Sequence, residues 1–146
     1  MDIKNANGAT LAYLGDAVLE VIVRKYLVSL GIANGGTLSH LALNFVRATA
    51  QSAGMDKLLP VLTEDEEYIY RRGRNANGIA IPKSASAREY RRATGMEALF
   101  AYLDLTGQQN RALELFKIAY ADVMAKLENE INNTPSTANQ HQGEQL

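Results

Sequence analysis

The chain has no cysteine in its 146 residues, which excludes disulfide staples and thiolate metal sites and is compatible with a reducing compartment. Histidine is almost as scarce. His40 and His141 are the only two, widely separated, so a nucleophilic triad or a histidine-rich metal centre is not expected. No uninterrupted apolar run approaches the roughly 18 residues of a membrane span, and the opening "MDIKNANGAT" has no signal-peptide pattern. The expected setting is the cytoplasm, or the plastid stroma in a plastid-bearing lineage, with no membrane partner. Excess charge is lacking too: the formal net charge is −1. What remains is enough for a stable core, because a chain of about 150 residues buries roughly 70% of its unfolded surface.

The near-zero total hides one basic region. Arg71, Arg72, Arg74, Lys83, Arg88, Arg91 and Arg92 follow one another with only Glu89 opposing them. The acidic run "EDEE", Glu64 to Glu67, comes just before. Arginines at a helix end offset the dipole, and these could also pair with Glu64–Glu67 at helical spacing. Yet "RRGRN" exceeds what one helix end requires, and arginine matches phosphate oxygens bidentately. Phosphate binding and helix-end neutralisation both stay open.

The patterning is helical nearly throughout, and the fold class it predicts is all-α, a bundle of about five to seven helices. Leu11, Leu14, Val18, Val21, Ile22 and Val28 form a 3.6-residue stripe over Leu11–Leu30. "NGG" at Asn34–Gly36 interrupts it, and Thr37 is placed to cap a second helix reaching Gly54. Thr63 with Glu66, Ser86 with Glu89 and Thr106 with Gln109 fit capping boxes. They predict helices near 64–73, 87–105 and 107–131. "RNANGIAIPKSAS", Arg74 to Ser86, is expected to be a loop. A single domain over 1–132 is expected, followed by a polar, disordered tail over 133–146.

Two acids are out of place in this pattern. Asp16 sits in "LAYLGDAVLEVIV" and Glu97 in "TGMEALFAYL", both apolar segments, and carboxylates rarely enter a core unless paired or bound. Each acid adjoins or nearly adjoins a glycine, Gly15 or Gly95, and small residues let helix backbones approach. The two helices are therefore expected to cross there and bring Asp16 and Glu97 together. Facing carboxylates repel unless a proton or a divalent cation lies between them, and Mg²⁺ suits such oxygen ligands. The alternative leaves both acids at a core edge in water. Glu20, four residues before Arg24, reads as a surface ion pair.

These segments carry a resemblance. "LAYLGDAVLEVIVRKYL" resembles the signature helix of the ribonuclease III endonuclease domain, and "MEALFAYLDL" resembles that fold's second acidic segment. "NGATLAYLGDA", "YRRGRNAN", "YRRATGMEALFAYL" and, more weakly, "LSHLALNFVRATAQ" are similar to the Mini-ribonuclease III branch, which lacks a double-stranded-RNA-binding domain. The likeness spans roughly 7–127. It implies a homodimeric, Mg²⁺-dependent (alternatively Mn²⁺-dependent) endonuclease cleaving double-stranded RNA to 5′-phosphate and 3′-hydroxyl ends. The implied substrate is a large-subunit ribosomal RNA precursor. Asp16 and Glu97 fall on the catalytic, metal-holding acids. Full-length ribonuclease III enzymes carry two further acids, one turn before each; here those positions are Ala12 and Thr94, and Thr94 is a candidate to position a water. Arg71, Arg72, Arg74, Asn75 and Lys83 become the candidates for RNA-backbone contact. The rival reading is a non-catalytic RNA- or ribosome-binding module on the same scaffold.

Overall fold

Helix α5 (Ala87–Leu105) forms the centre of the molecule, because eleven of its residues, on every side, are buried. A helix apolar all round belongs inside a bundle. In the computed structural model, which describes residues 2–83 and 86–133, α1 (Gly8–Ser29), α3 (Ala48–Leu58) and α4 (Glu64–Arg74) pack directly on α5. Around them lie α2 (Gly35–Val46), α6 (Gln109–Ala119) and α7 (Ala121–Asn133), with 3₁₀ turns at Ile3–Asn5 and Leu59–Val61. The described residues contain no strand, as the all-α expectation required. None of their helices is long and apolar enough to cross a membrane.

Three glycines set how closely the inner helices approach. A Cβ on Gly15 of α1 would lie 1.6 Å from the carbonyl oxygen of Glu97 on α5. A Cβ on Gly73 of α4 would meet Ala98 Cβ at 2.6 Å and Gly95 Cα at 2.9 Å. At Gly8, a Cβ would stand 2.3 Å from the Arg72 carbonyl oxygen. Backbone therefore packs on backbone around the α1–α4–α5 triangle, a spacing no larger residue allows. Gly95 corrects the expectation: its own Cβ would strike the Tyr70 ring at 2.6 Å, so it serves the α4 contact rather than the α1 crossing.

Several boundaries also differ from expectation. α1 begins at Gly8 because the Asn7 side chain accepts from the Ala9 N–H at 2.8 Å and weakly from Thr10, an Asn cap. The helix expected over 37–54 is two. Arg47 adopts φ −66°, ψ 145°, ending α2 and starting α3, and Asn34 rather than Thr37 is the cap of α2. The helix expected over 107–131 divides at Tyr120, whose ring turns into a cluster with Phe45 and Phe116. Its buried hydroxyl donates to the Phe45 carbonyl at 2.8 Å. Thr106 caps no following helix; its hydroxyl donates back to Tyr102 O at 2.7 Å at the end of α5. The Thr63–Glu66 capping box is present in both halves, and Ser86 caps α5 through Glu89 N–H. α7 includes Asn133, one residue of the expected tail; residues 134–146 and loop residues Ser84 and Ala85 lie outside the described residues.

Candidate active site

The crossing of α1 on α5 brings the two anomalous acids together. Gly15 seats the α1 backbone on the Glu97 carbonyl, so the next residue, Asp16, stands beside Glu97 at the rim. Asp16 is exposed and Glu97 half-buried. The Glu97 carboxyl hydrogen-bonds to Asp16, and burial, then the negative charge of Asp16, push it up to about 8. Both causes favour the protonated form of Glu97 in the free protein. Below them, burial and then Glu97 raise the Tyr120 hydroxyl as well.

This donor set fits a divalent cation. Two carboxylates within hydrogen-bonding reach offer oxygen ligands on one side and water on the other, the arrangement Mg²⁺ takes when it keeps several waters. Among the described residues neither acid forms an ion pair, and no group of three or more His, Cys, Asp or Glu could hold a metal. Among the described residues, the groups that could hold a cation here are thus the carboxylates of Asp16 and Glu97. Glu20, four residues after Asp16, is separate from them: it pairs with Arg24 at 3.1 Å, as its spacing suggested. Thr94, one turn before Glu97, is only 5% exposed and donates its hydroxyl to Tyr90 O at 2.9 Å.

The basic region is narrower than it looks in sequence. Arg92 is 9% exposed and turns inward, donating to Ser52 Oγ and Ser52 O at 2.9 Å and pairing with Asp56; it clamps α3 to α5. Arg72 donates to Ala6 O at 2.9 Å and lies over the Tyr68 ring, tying the N-terminal segment to α4. Arg71 is exposed and pairs with Glu67 at 2.7 Å. Arg74 lies over the Tyr70 ring and donates to Asn75 Oδ1. Asn75 and Lys83 are exposed. Asn7, Tyr68 and Asn77 join Arg71, Arg72 and Asn75 around one open cleft, and sequence reasoning missed these three. Asn7 was detectable as an Asn before a helical stripe, but the residue three positions on is Thr10, so no capping box marked it. Tyr13 was missed as well: it is 86% exposed on α1, three residues before Asp16.

Two acids at a glycine-seated crossing of apolar helices, beside an arginine-bearing helix, define a class. The sequence pattern of the ribonuclease III domain matches residues 9–108, and the chain belongs to that family. Mini-ribonuclease 3 of Enterococcus faecalis is 47% identical over 116 residues, spanning 78% of this chain and 88% of that protein. Mini-ribonuclease 3 of Symbiobacterium thermophilum is 49% identical over 110 residues, spanning 75% and 85%. These likenesses put it in the Mini-ribonuclease III branch. The crystal structure of protein FN1578 from Fusobacterium nucleatum shares the fold with a TM-score of 0.73 at 32% identity, covering 81% of this chain and 96% of that one.

Proposed function

We propose that the chain is an endoribonuclease that hydrolyses double-stranded RNA at Asp16 and Glu97, with Mg²⁺ or Mn²⁺, as a homodimer acting on large-subunit ribosomal RNA precursors. Family membership supports the ribonuclease part. The observation that carries the site is the contact between Asp16 and Glu97, two acids with no ion-pair partner among the described residues. Bound there, the divalent ion supplies Lewis acidity for phosphodiester hydrolysis. Asp16 and Glu97 hold and orient it, and Gly15 fixes their separation by seating α1 on α5. Thr94 keeps an acceptor lone pair after donating to Tyr90, with which it positions a water beside Glu97. Arg71, Arg72, Arg74, Asn75 and Lys83 contact the RNA backbone, where duplex RNA is read through shape, phosphates and 2′-hydroxyls.

The homodimer is supported by the outer surface of α1. Val21 is 51% exposed, at an apolar groove of about 580 Å³ between α1 and α6 that it lines with Ile22, Leu113 and Phe116. An apolar groove on an outer surface suits an isologous, two-fold contact. The ribosomal substrate rests on likeness to Mini-ribonuclease 3 proteins.

The test is cleavage of duplex RNA by the parent and by Asp16→Asn, each with Mg²⁺ or with chelator. The parent with Mg²⁺ should cut, leaving 5′-phosphate ends. Losing one of two carboxylates should slow cutting at least about a hundredfold, as loss of a charge-stabilising group does. Cutting that persists in the variant or in chelator refutes the site.

A further inference from the structure

The cleft between the start of α1 and the end of α4 has a lining that the acid pair does not explain. It encloses about 510 Å³ and is bordered by Asn7, Tyr68, Arg71, Arg72, Asn75 and Asn77, with no carboxylate in its lining. Its floor is the close approach of Gly8 to the Arg72 carbonyl. Asn7 Oδ1 is engaged as the cap of α1, leaving the Asn7 Nδ2 group to donate. Asn75 Oδ1 accepts from Arg74 Nε at 3.2 Å, so its Nδ2 group is likewise left over. The Asn77 amide has no hydrogen bond within the described residues and offers both a donor and an acceptor. Tyr68 is 44% exposed; its oxygen accepts at most a long contact from Arg72 at 3.5 Å, and its proton is free to be donated.

The nearby cations are already engaged, Arg71 with Glu67 and Arg72 with Ala6 O. The cleft therefore offers neutral amides and a phenol beside the two arginines assigned to the RNA backbone. Such a lining suits a neutral group that both donates and accepts, and in RNA the ribose 2′-hydroxyl is that group. A site built to hydrogen-bond a hydroxyl rejects the analogue lacking it.

We propose that this cleft distinguishes RNA from DNA by hydrogen-bonding one or two ribose 2′-hydroxyls of the bound strand, with Asn77 and Tyr68 as the specificity-determining residues. This rests on the duplex-RNA reading above and adds to it where the sugar is read. Gly8 and Asp16 belong to one helix, eight residues and thus about 12 Å apart along its axis. A sugar held in the cleft is consequently held at a fixed offset from the acid pair.

The experiment uses a duplex RNA that the parent cuts at one bond, and a series of the same duplex carrying a single 2′-deoxynucleotide at successive positions. The parent should slow about tenfold at one or two positions a constant distance from the cut, the size expected for a lost hydrogen bond of this kind, and little elsewhere. Tyr68→Phe combined with Asn77→Ala should narrow that gap to less than about threefold at those positions. Asn77→Ala alone, on an exposed residue beyond α4, should narrow it partly and guards against misfolding of the double variant. An unchanged positional profile in the variants, or a parent indifferent to every single deoxynucleotide, overturns the assignment. If the parent fails to cut the all-RNA duplex, the functional reading falls and takes this one with it; if it cuts and the profile does not respond, only the cleft assignment falls.

Discussion

Glu66 on α4 and Glu97 on α5 are both glutamates withdrawn from water, and they have opposite neighbours. Glu66 is 3% exposed and fully answered by the protein. Arg111 reaches it from α6 with two hydrogen bonds of 2.9 Å, and Thr63 N–H gives a third at 2.9 Å. Burial alone would raise its pKa, but Arg111 and Thr63 outweigh burial and hold it below the ordinary carboxylate value. Glu97 meets another carboxylate, and burial and Asp16 both push it up. An acid that only ties helices together is given its cation by the chain itself. An acid facing another acid has no such partner among the described residues, and a group perturbed in this way marks a candidate functional site.

The widest separation of the two comes from removing the counterion of Glu66. Arg111→Ala would leave a buried carboxylate unpaired and free Val61 O as well, to which Arg111 donates at 2.9 Å. Breaking a buried pair from one side costs about 3–5 kcal/mol. Because Arg111 is partly exposed, a loss of roughly 2–3 kcal/mol in denaturant unfolding is expected, with RNA cleavage per folded molecule unchanged. A variant as stable as the parent would show that Glu66 is balanced by something else.

The pH dependence should divide the two glutamates by sign. Glu97 has a raised folded value, so the folded state keeps a proton that the unfolded chain releases. Its stabilising contribution is complete below the ordinary value near 4.5 and disappears as pH rises through about 8. Glu66, lowered in the folded state, contributes above its ordinary value and loses that contribution as pH falls through the lowered one. In chelator, the melting temperature should therefore decline between about pH 5 and about pH 9, and Glu97→Gln should flatten that decline. Added Mg²⁺ at alkaline pH should restore the parent more than the variant. A parent whose melting temperature is level across this range would contradict the coupling of Glu97 to Asp16.

Much of this was legible in the residues. Asp16 and Glu97 stood out because charge interrupted apolar stripes, and Gly15 gave the reason their helices could cross. Gly95 was harder: a glycine near an acid can serve either neighbouring helix, and only the packing of Tyr70 against it assigns it to α4. Arg92 looked like surface charge within an arginine run, though it lies four residues before buried Met96 on the same inward stripe. The breaks at Arg47 and Tyr120 carry neither proline nor glycine, so nothing local announced them. Tyr120 turns because of the rings it meets, a tertiary cause that periodicity does not contain.

The smallest expected effect sharpens the comparison within α1 itself. Asp16 and Glu20 are one turn apart on the same helix, and the sequence gives each the same nominal chemistry. Glu20 has an exposed partner, Arg24, at 3.1 Å, and it lines no part of the acid pair. Exposed pairs at this spacing contribute roughly 0.3–0.5 kcal/mol. Glu20→Ala should thus change unfolding free energy by no more than about 0.5 kcal/mol and leave cleavage at the parental rate, whereas Asp16→Asn should slow it at least about a hundredfold. If Glu20→Ala also lost cleavage, the site would extend along α1 and the contrast between an acid that has a cation and one that lacks it would no longer separate structure from function.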